Sequence, residues 1–186
     1  MECLEQGVDL TWILTELAKR KEGINAAVVL MGYMNPFLQY GLKRLARDAA
    51  KAGVSGFIIP DLPLEESGET REALTGEGLD LVCLVGLNTT GERMREYAET
   101  ATGFVYFVSV LGTTGERDAL PEESLARLAE AREAFSLPLA LGFGIKTPEQ
   151  VERFGDRIDA VVIGSALITH IRSGGDAASF MAAWRK

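Results

Sequence analysis

The chain has 186 residues, 47% hydrophobic and 25% charged, an ordinary globular composition with enough apolar content for a sizeable core. Its 27 acidic against 19 basic residues give a formal net charge of −8 and a pI near 4.8, which excludes a nucleic-acid partner that needs a broad basic face. No apolar run is long enough to span a membrane, Met1-Glu2-Cys3-Leu4 is no signal peptide, and Cys3 and Cys83 fit neither metal nor disulfide use, so a cytoplasmic location is expected.

From the N-terminus, Glu2 to Lys19 places Leu10, Ile13, Leu14 and Leu17 at helical spacing and predicts a helix starting near Met1 without an N-cap. Six short apolar runs then read as strands: Ala27–Met31, Gly56–Pro60, Leu79–Val85, Gly103–Val108, Leu137–Leu141 and Asp159–Ile163. Helical patterns separate them over Pro36–Ala52, Glu65–Gly76, Gly91–Ala101, Pro121–Phe135 and Thr147–Phe154. A last helix over Ala166–Trp184 is expected to break near Gly174-Gly175. Strict alternation of strand and helix predicts a parallel sheet covered by helices, in one domain spanning residues 1–186. A doubly wound sheet also fits the alternation, but the end of the chain favours a barrel.

There, Gly142-Phe143-Gly144-Ile145 and Gly164-Ser165-Ala166 each follow a predicted strand and open a predicted helix. Either turn alone is ordinary punctuation. Two of them, one βα unit apart, gather orphan amides and a helix N-terminus into a place that suits an anion. In (β/α)8 barrels the loops after strands seven and eight form the usual phosphate site. The expected fold is therefore an α/β TIM (β/α)8 barrel, incomplete, with about six βα units. Two strands and a helix, roughly 60 residues, would precede Met1. Open edges follow: Val28, Val29, Ala160 and Val161 would meet solvent or another chain, so an oligomeric or poorly soluble chain is expected.

Other loops carry candidate chemistry. Gly32-Tyr33-Met34-Asn35-Pro36-Phe37 reads as a helix entry with Asn35 as N-cap and Pro36 at the first helical position, or as a polar-aromatic ligand loop. In Pro60-Asp61-Leu62-Pro63-Leu64-Glu65-Glu66, Asp61 is open to three readings: a catalytic carboxylate, a partner contact or a loop residue. Glu65 and Glu66 suit a first helical turn. Leu111-Gly112-Thr113-Thr114-Gly115-Glu116-Arg117 is either an idle turn or a hydrogen-bonding loop suited to closing over a ligand. His170 lacks a partner histidine or carboxylate pattern and reads as structural.

Taken in order, these segments resemble the α subunit of tryptophan synthase over nearly the whole chain. The motifs are Met34-Asn35-Pro36 with Tyr40-Gly41, the Pro60-to-Glu66 loop, and Tyr106-Phe107-Val108-Ser109 with Gly112-Thr113-Thr114-Gly115. Gly142-Phe143-Gly144-Ile145 with Pro148-Glu149-Gln150-Val151, and Gly164-Ser165-Ala166, complete the set. The resemblance implies a lyase of tryptophan biosynthesis that cleaves indole-3-glycerol phosphate to indole and glyceraldehyde 3-phosphate by a retro-aldol step. It implies no metal and no cofactor in this chain, and a β-chain partner in an α2β2 assembly, where pyridoxal phosphate belongs to the β chain. Carried over by residue, Gly115, Gly144, Gly164 and Ser165 would hold the substrate phosphate. Phe143 and Tyr106 would line the indole pocket, with Tyr33 and Met31 near it, and Thr114 would orient a catalytic carboxylate. Asn35, Pro36, Asp61 and Pro63 would face the β chain.

One departure matters. The family's reaction uses a glutamate and an aspartate, one to protonate indole C3 and one to stabilise positive charge at the indole nitrogen. Both are expected in the segment before Met1, so no catalytic residue is assigned within the chain. The alternative is a non-catalytic phosphate-binding module or regulator of the β chain, and a third reading is another phosphate-handling barrel enzyme, an isomerase or epimerase.

Overall fold

The computed structural model describes residues 7–108, 122–142, 145, 147–152 and 154–184. The chain divides into two compact units, residues 1–83 with 101–103, and residues 84–100 with 104–186.

The first unit contains α1 (Leu10–Arg20); of the helix expected from Glu2, residues 2–6 lie outside the described residues and 7–9 are not helical. Gly7 takes φ +77°, Asp9 is extended, and the Asp9 carboxylate accepts the Trp12 N–H at 2.7 Å. An internal N-cap, not the apolar periodicity, sets the start. β1 (Val28–Met31) pairs in parallel with β2 (Val54–Ile58), and β2 with β3 (Asp80–Gly86). The helix expected over Pro36–Ala52 is two helices, α2 (Met34–Tyr40) and α3 (Leu42–Lys51). Gly41 divides them at φ +89°, a conformation that strains any residue with a Cβ. Its N–H still reaches the Phe37 and Leu38 carbonyls and its carbonyl accepts the Leu45 N–H, so the backbone stays bonded through the bend.

α3 turns Leu45, Ala46 and Ala49 inward, a helical-period stripe that meets Leu14, Phe37, Val54, Phe57 and Leu74 in one core cluster. Phe37 meets Phe57 edge-on, with ring centroids 5.4 Å apart at 86°. Glu65 and Glu66 lie in a 3-10 turn, Leu64–Glu66, ahead of α4 (Gly68–Thr75) rather than in that helix. Cys83 in β3 is a free thiol, and burial pushes it up to about 12. The thiolate is the reactive form. In a Cys3→Ser background the native chain is therefore expected to leave Cys83 unlabelled by dithionitrobenzoate at pH 8 until denaturant is added. Stoichiometric labelling within the mixing time would contradict it.

The second unit holds β4 (Val105–Val108), β5 (Leu139–Gly142) and β6 (Ala160–Val162), paired in parallel in that order. α5 (Gly91–Ala98) is capped by Thr90, whose hydroxyl accepts the Arg93 N–H at 3.2 Å. α6 (Glu122–Ala134) buries Leu128 and Ala131, with Phe135 just beyond it. Asp159 ties α6 to the sheet: it accepts the Leu139 N–H at 2.8 Å and the Arg132 guanidinium at 2.6 and 3.3 Å. The amide first, then the guanidinium, hold its carboxyl below the usual range.

α7 (Pro148–Glu152) leads to β6. α8 (Ser165–Arg172) and α9 (Ala177–Ala183) are the two pieces of the expected broken helix, with Asp176 accepting the Ser179 N–H at 2.9 Å as N-cap. The Nε2 of His170 lies 3.3 Å from Ser179 Oγ and its ring 5.4 Å from that of Phe180. None of the residues in α8 or α9 is buried. Within each unit the strands are hydrogen-bonded in parallel and in chain order, the βα alternation predicted from sequence. At the two outer strands Val28, Val29 and Val161 are half-buried and Ala160 is exposed.

Candidate functional site

In the first unit, β1 ends at Met31, 57% exposed, and Tyr33, 68% exposed, takes the N-cap position of α2. Tyr33 makes no capping bond with its side chain, and Asn35 is not the cap either, because it lies inside the first helical turn with Pro36. The acceptor comes from a loop 27 residues on: Asp61 Oδ1 accepts the Met34 N–H at 2.8 Å. Asp61 sits in a turn closed by the Leu62 N–H donating to the Ile59 carbonyl at 3.2 Å. Alongside, the Gly32 N–H donates to the Ile58 carbonyl at 3.1 Å. Asn35, Pro36, Asp61 and Pro63 are all exposed on these neighbouring segments.

In the second unit, Tyr106 of β4 is buried at 5% exposure, against Gly142 at the end of β5. A Cβ built on Gly142 would overlap the Tyr106 ring and hydroxyl, so the ring occupies space that only glycine leaves. Burial raises the Tyr106 phenol above its ordinary value. Beyond β6, Gly164 is the N-cap of α8 and Ser165 its first residue, both exposed. The Gly164 carbonyl accepts the Ile168 N–H at 3.1 Å. The first-turn amides of a helix have no intrahelical acceptor, and with the positive end of the dipole such a terminus suits an anion. Thr114, Gly115, Phe143 and Gly144 lie outside the described residues. Among the described residues, no three His, Cys, Asp or Glu side chains are grouped to hold a metal ion, and no helix is long and apolar enough to cross a membrane.

Parallel strands in chain order, each followed by helix, with a glycine turn opening onto an exposed helix head after β6, define a protein of the (β/α) barrel class. The family described as tryptophan synthase alpha chain matches residues 1–183, and the chain belongs to that family of lyases. It is 63% identical over 185 residues to the tryptophan synthase alpha chain of Solidesulfovibrio magneticus, covering 100% of this chain and 72% of that protein. Identity to the alpha chain of Nitratidesulfovibrio vulgaris is 58% over 181 residues, 97% of this chain and 70% of the relative. Among solved structures, the tryptophan synthase A-subunit of Pyrococcus furiosus superposes with TM-score 0.83 at 31% identity, covering 96% of this chain and 72% of that one. The tryptophan synthase a2b2 complex from the same organism gives TM-score 0.84 at 32% identity, with the same shares of 96% and 72%. The six described strands belong to that barrel, which closes with eight.

Sequence reasoning missed two contacts. Asp61 caps a helix from another loop, and Tyr106 rests on Gly142. The first leaves no local trace, because a cap read from sequence is sought within three residues of the helix start. The second had a weak one: Gly142 lies between a predicted strand and a glycine turn, where a close approach is a standing possibility.

Proposed function

We propose that the chain provides the phosphate-holding and β-chain-facing parts of a tryptophan synthase alpha chain, working in the cytoplasm on indole-3-glycerol phosphate. Family membership across residues 1–183 carries this reading. Gly164 and Ser165, with Gly115 and Gly144, hold the phosphate; the exposed head of α8 is the geometry such a role requires. Tyr106 and Phe143 form the wall of the indole pocket, with Tyr33 and Met31 beside it, and Thr114 orients a carboxylate. Asn35, Pro36, Asp61 and Pro63 face the β chain, in keeping with their exposure.

The reaction breaks the bond between indole C3 and the glycerol carbon after C3 is protonated, releasing indole and glyceraldehyde 3-phosphate. It needs no cofactor in this chain; pyridoxal phosphate serves the β chain. Neither of the two carboxylates of the reaction is assigned to a residue of this chain. Asp61 is no substitute for them, since its carboxylate is committed to the Met34 amide.

Calorimetric titration with glycerol 3-phosphate tests the phosphate assignment, expected as saturable one-to-one binding. Gly164→Asp is the decisive variant. A Cβ at this position meets open space and aspartate is a favoured N-cap, so the chain stays folded while a carboxylate occupies the place of the anion. Binding is expected to weaken at least about tenfold, as like charge replaces an attractive site. Unchanged binding in Gly164→Asp would remove α8 from the phosphate site, and turnover of a ribulose phosphate by the parent would favour an isomerase or epimerase instead.

A further inference from the structure

Two loops of the first unit are fastened to each other at their tips. The Gly32 amide bonds the Ile58 carbonyl at 3.1 Å, and two residues later the Met34 amide bonds the Asp61 carboxylate at 2.8 Å. Tyr33 stands between these two anchored amides with its side chain 68% exposed. Asn35 and Pro36 follow immediately in the first turn of α2, a helix without a capping side chain of its own. Met34 is half-buried, and the Thr70 hydroxyl lies 4.0 Å from its sulfur, so its backbone position is also set from the core side. We infer that Asp61 is a positioning residue: by capping α2 from the neighbouring loop, it holds Tyr33 and the Asn35-Pro36 turn as one piece, so that a single carboxylate sets both an indole-side residue and part of the β-facing surface. The inference rests on the reading above for what Tyr33 and Asn35-Pro36 face.

The physical content lies in the acceptor, not in the charge. An N-cap works by taking an orphan amide, and asparagine does this about as well as aspartate, whereas alanine cannot. A direct ion pair with a partner would need the charge and would be lost in both variants. Asp61→Asn and Asp61→Ala therefore separate the two cases in the full 186-residue chain. Hydrogen exchange at the Met34 amide, followed by NMR, reads the cap itself. Protection is expected to persist in Asp61→Asn and to fall about five- to tenfold in Asp61→Ala, the range of cap losses. Affinity for purified β chain and for indole is expected to fall by about the same factor in Asp61→Ala and to stay within about threefold of the parent in Asp61→Asn. Glycerol 3-phosphate affinity is expected to be unchanged in both, and a thermal melt checks that each variant is folded.

Unaltered Met34 protection in Asp61→Ala would overturn the positioning role. So would equal weakening of β-chain binding in the two variants, which would assign Asp61 a direct charge contact with the partner. A parent chain that binds neither β chain, indole nor glycerol 3-phosphate would overturn the functional reading itself, and with it the link to substrate and partner.

Discussion

Gly142→Ala is expected to destabilise the second unit by about 1–3 kcal/mol, the usual cost of forcing a methyl group into filled space. Little relief is at hand, because the obstacle is the body of the Tyr106 ring as well as its hydroxyl, and Tyr106 is 5% exposed. Phe107 and Val105 on either side of it are buried at 1% and 0%, so β4 has little room to shift. Urea unfolding of four chains measures the effect: parent, Gly142→Ala, Tyr106→Ala and the double variant. Tyr106→Ala alone is expected to cost about 3–5 kcal/mol as a cavity. The double variant should be no less stable than Tyr106→Ala, because the new methyl then enters the space the ring has vacated. Strict additivity would mean that the ring and the glycine do not share that space. Loss of indole binding is expected to accompany Gly142→Ala if Tyr106 lines the pocket.

Phe57→Ala is the second large expected effect, and it falls on the first unit. Phe57 is 0% exposed, next to the last residue of β2, and packs edge-on against Phe37, which is itself 4% exposed. Removing a fully buried phenylalanine costs about 3–5 kcal/mol, and the aromatic pair adds about 0.5–1.5 kcal/mol beyond area burial. Against a typical total of about 5–15 kcal/mol, this leaves the first unit marginal at best. Phe57→Leu keeps most of the volume and is expected to cost much less. A loss below about 1 kcal/mol for Phe57→Ala, measured by urea unfolding, would show that this core collapses around the gap.

The sequence is most legible where one physical rule acts alone. Apolar runs bounded by glycine and helical periodicity located the six strands to within a few residues, and the Gly174-Gly175 break separated α8 from α9 where expected. Legibility failed where two rules competed. Periodicity ran Glu2 to Lys19 as one helix, but Asp9 supplied a cap that the pattern does not register. It ran Pro36 to Ala52 as another, and at Gly41 a positive φ overrode it. At the site, the exposed turn at Gly164 and Ser165 followed from strand-turn-helix order alone. The Asp61 cap did not, since 27 residues separate acceptor and donor and only the parallel pairing of β1 with β2 brings their loops together.

The hairpin of α8 and α9 sets a thermodynamic condition on whatever binds at its head. Its two helices meet through His170, whose ring lies against Phe180 and whose Nε2 faces Ser179 Oγ, yet they bury no residue of their own, so few contacts oppose its lifting as a piece. Elements of that kind open with free energies far below the global value. Gly164 and Ser165 form the hinge end of the hairpin, so an anion held by the seated form alone is linked to local closure. At a hundred times its dissociation constant such a ligand would deepen the seated state by about 2.7 kcal/mol. Protection of the last helices against exchange would then report site occupancy well beyond the turn that holds the ligand.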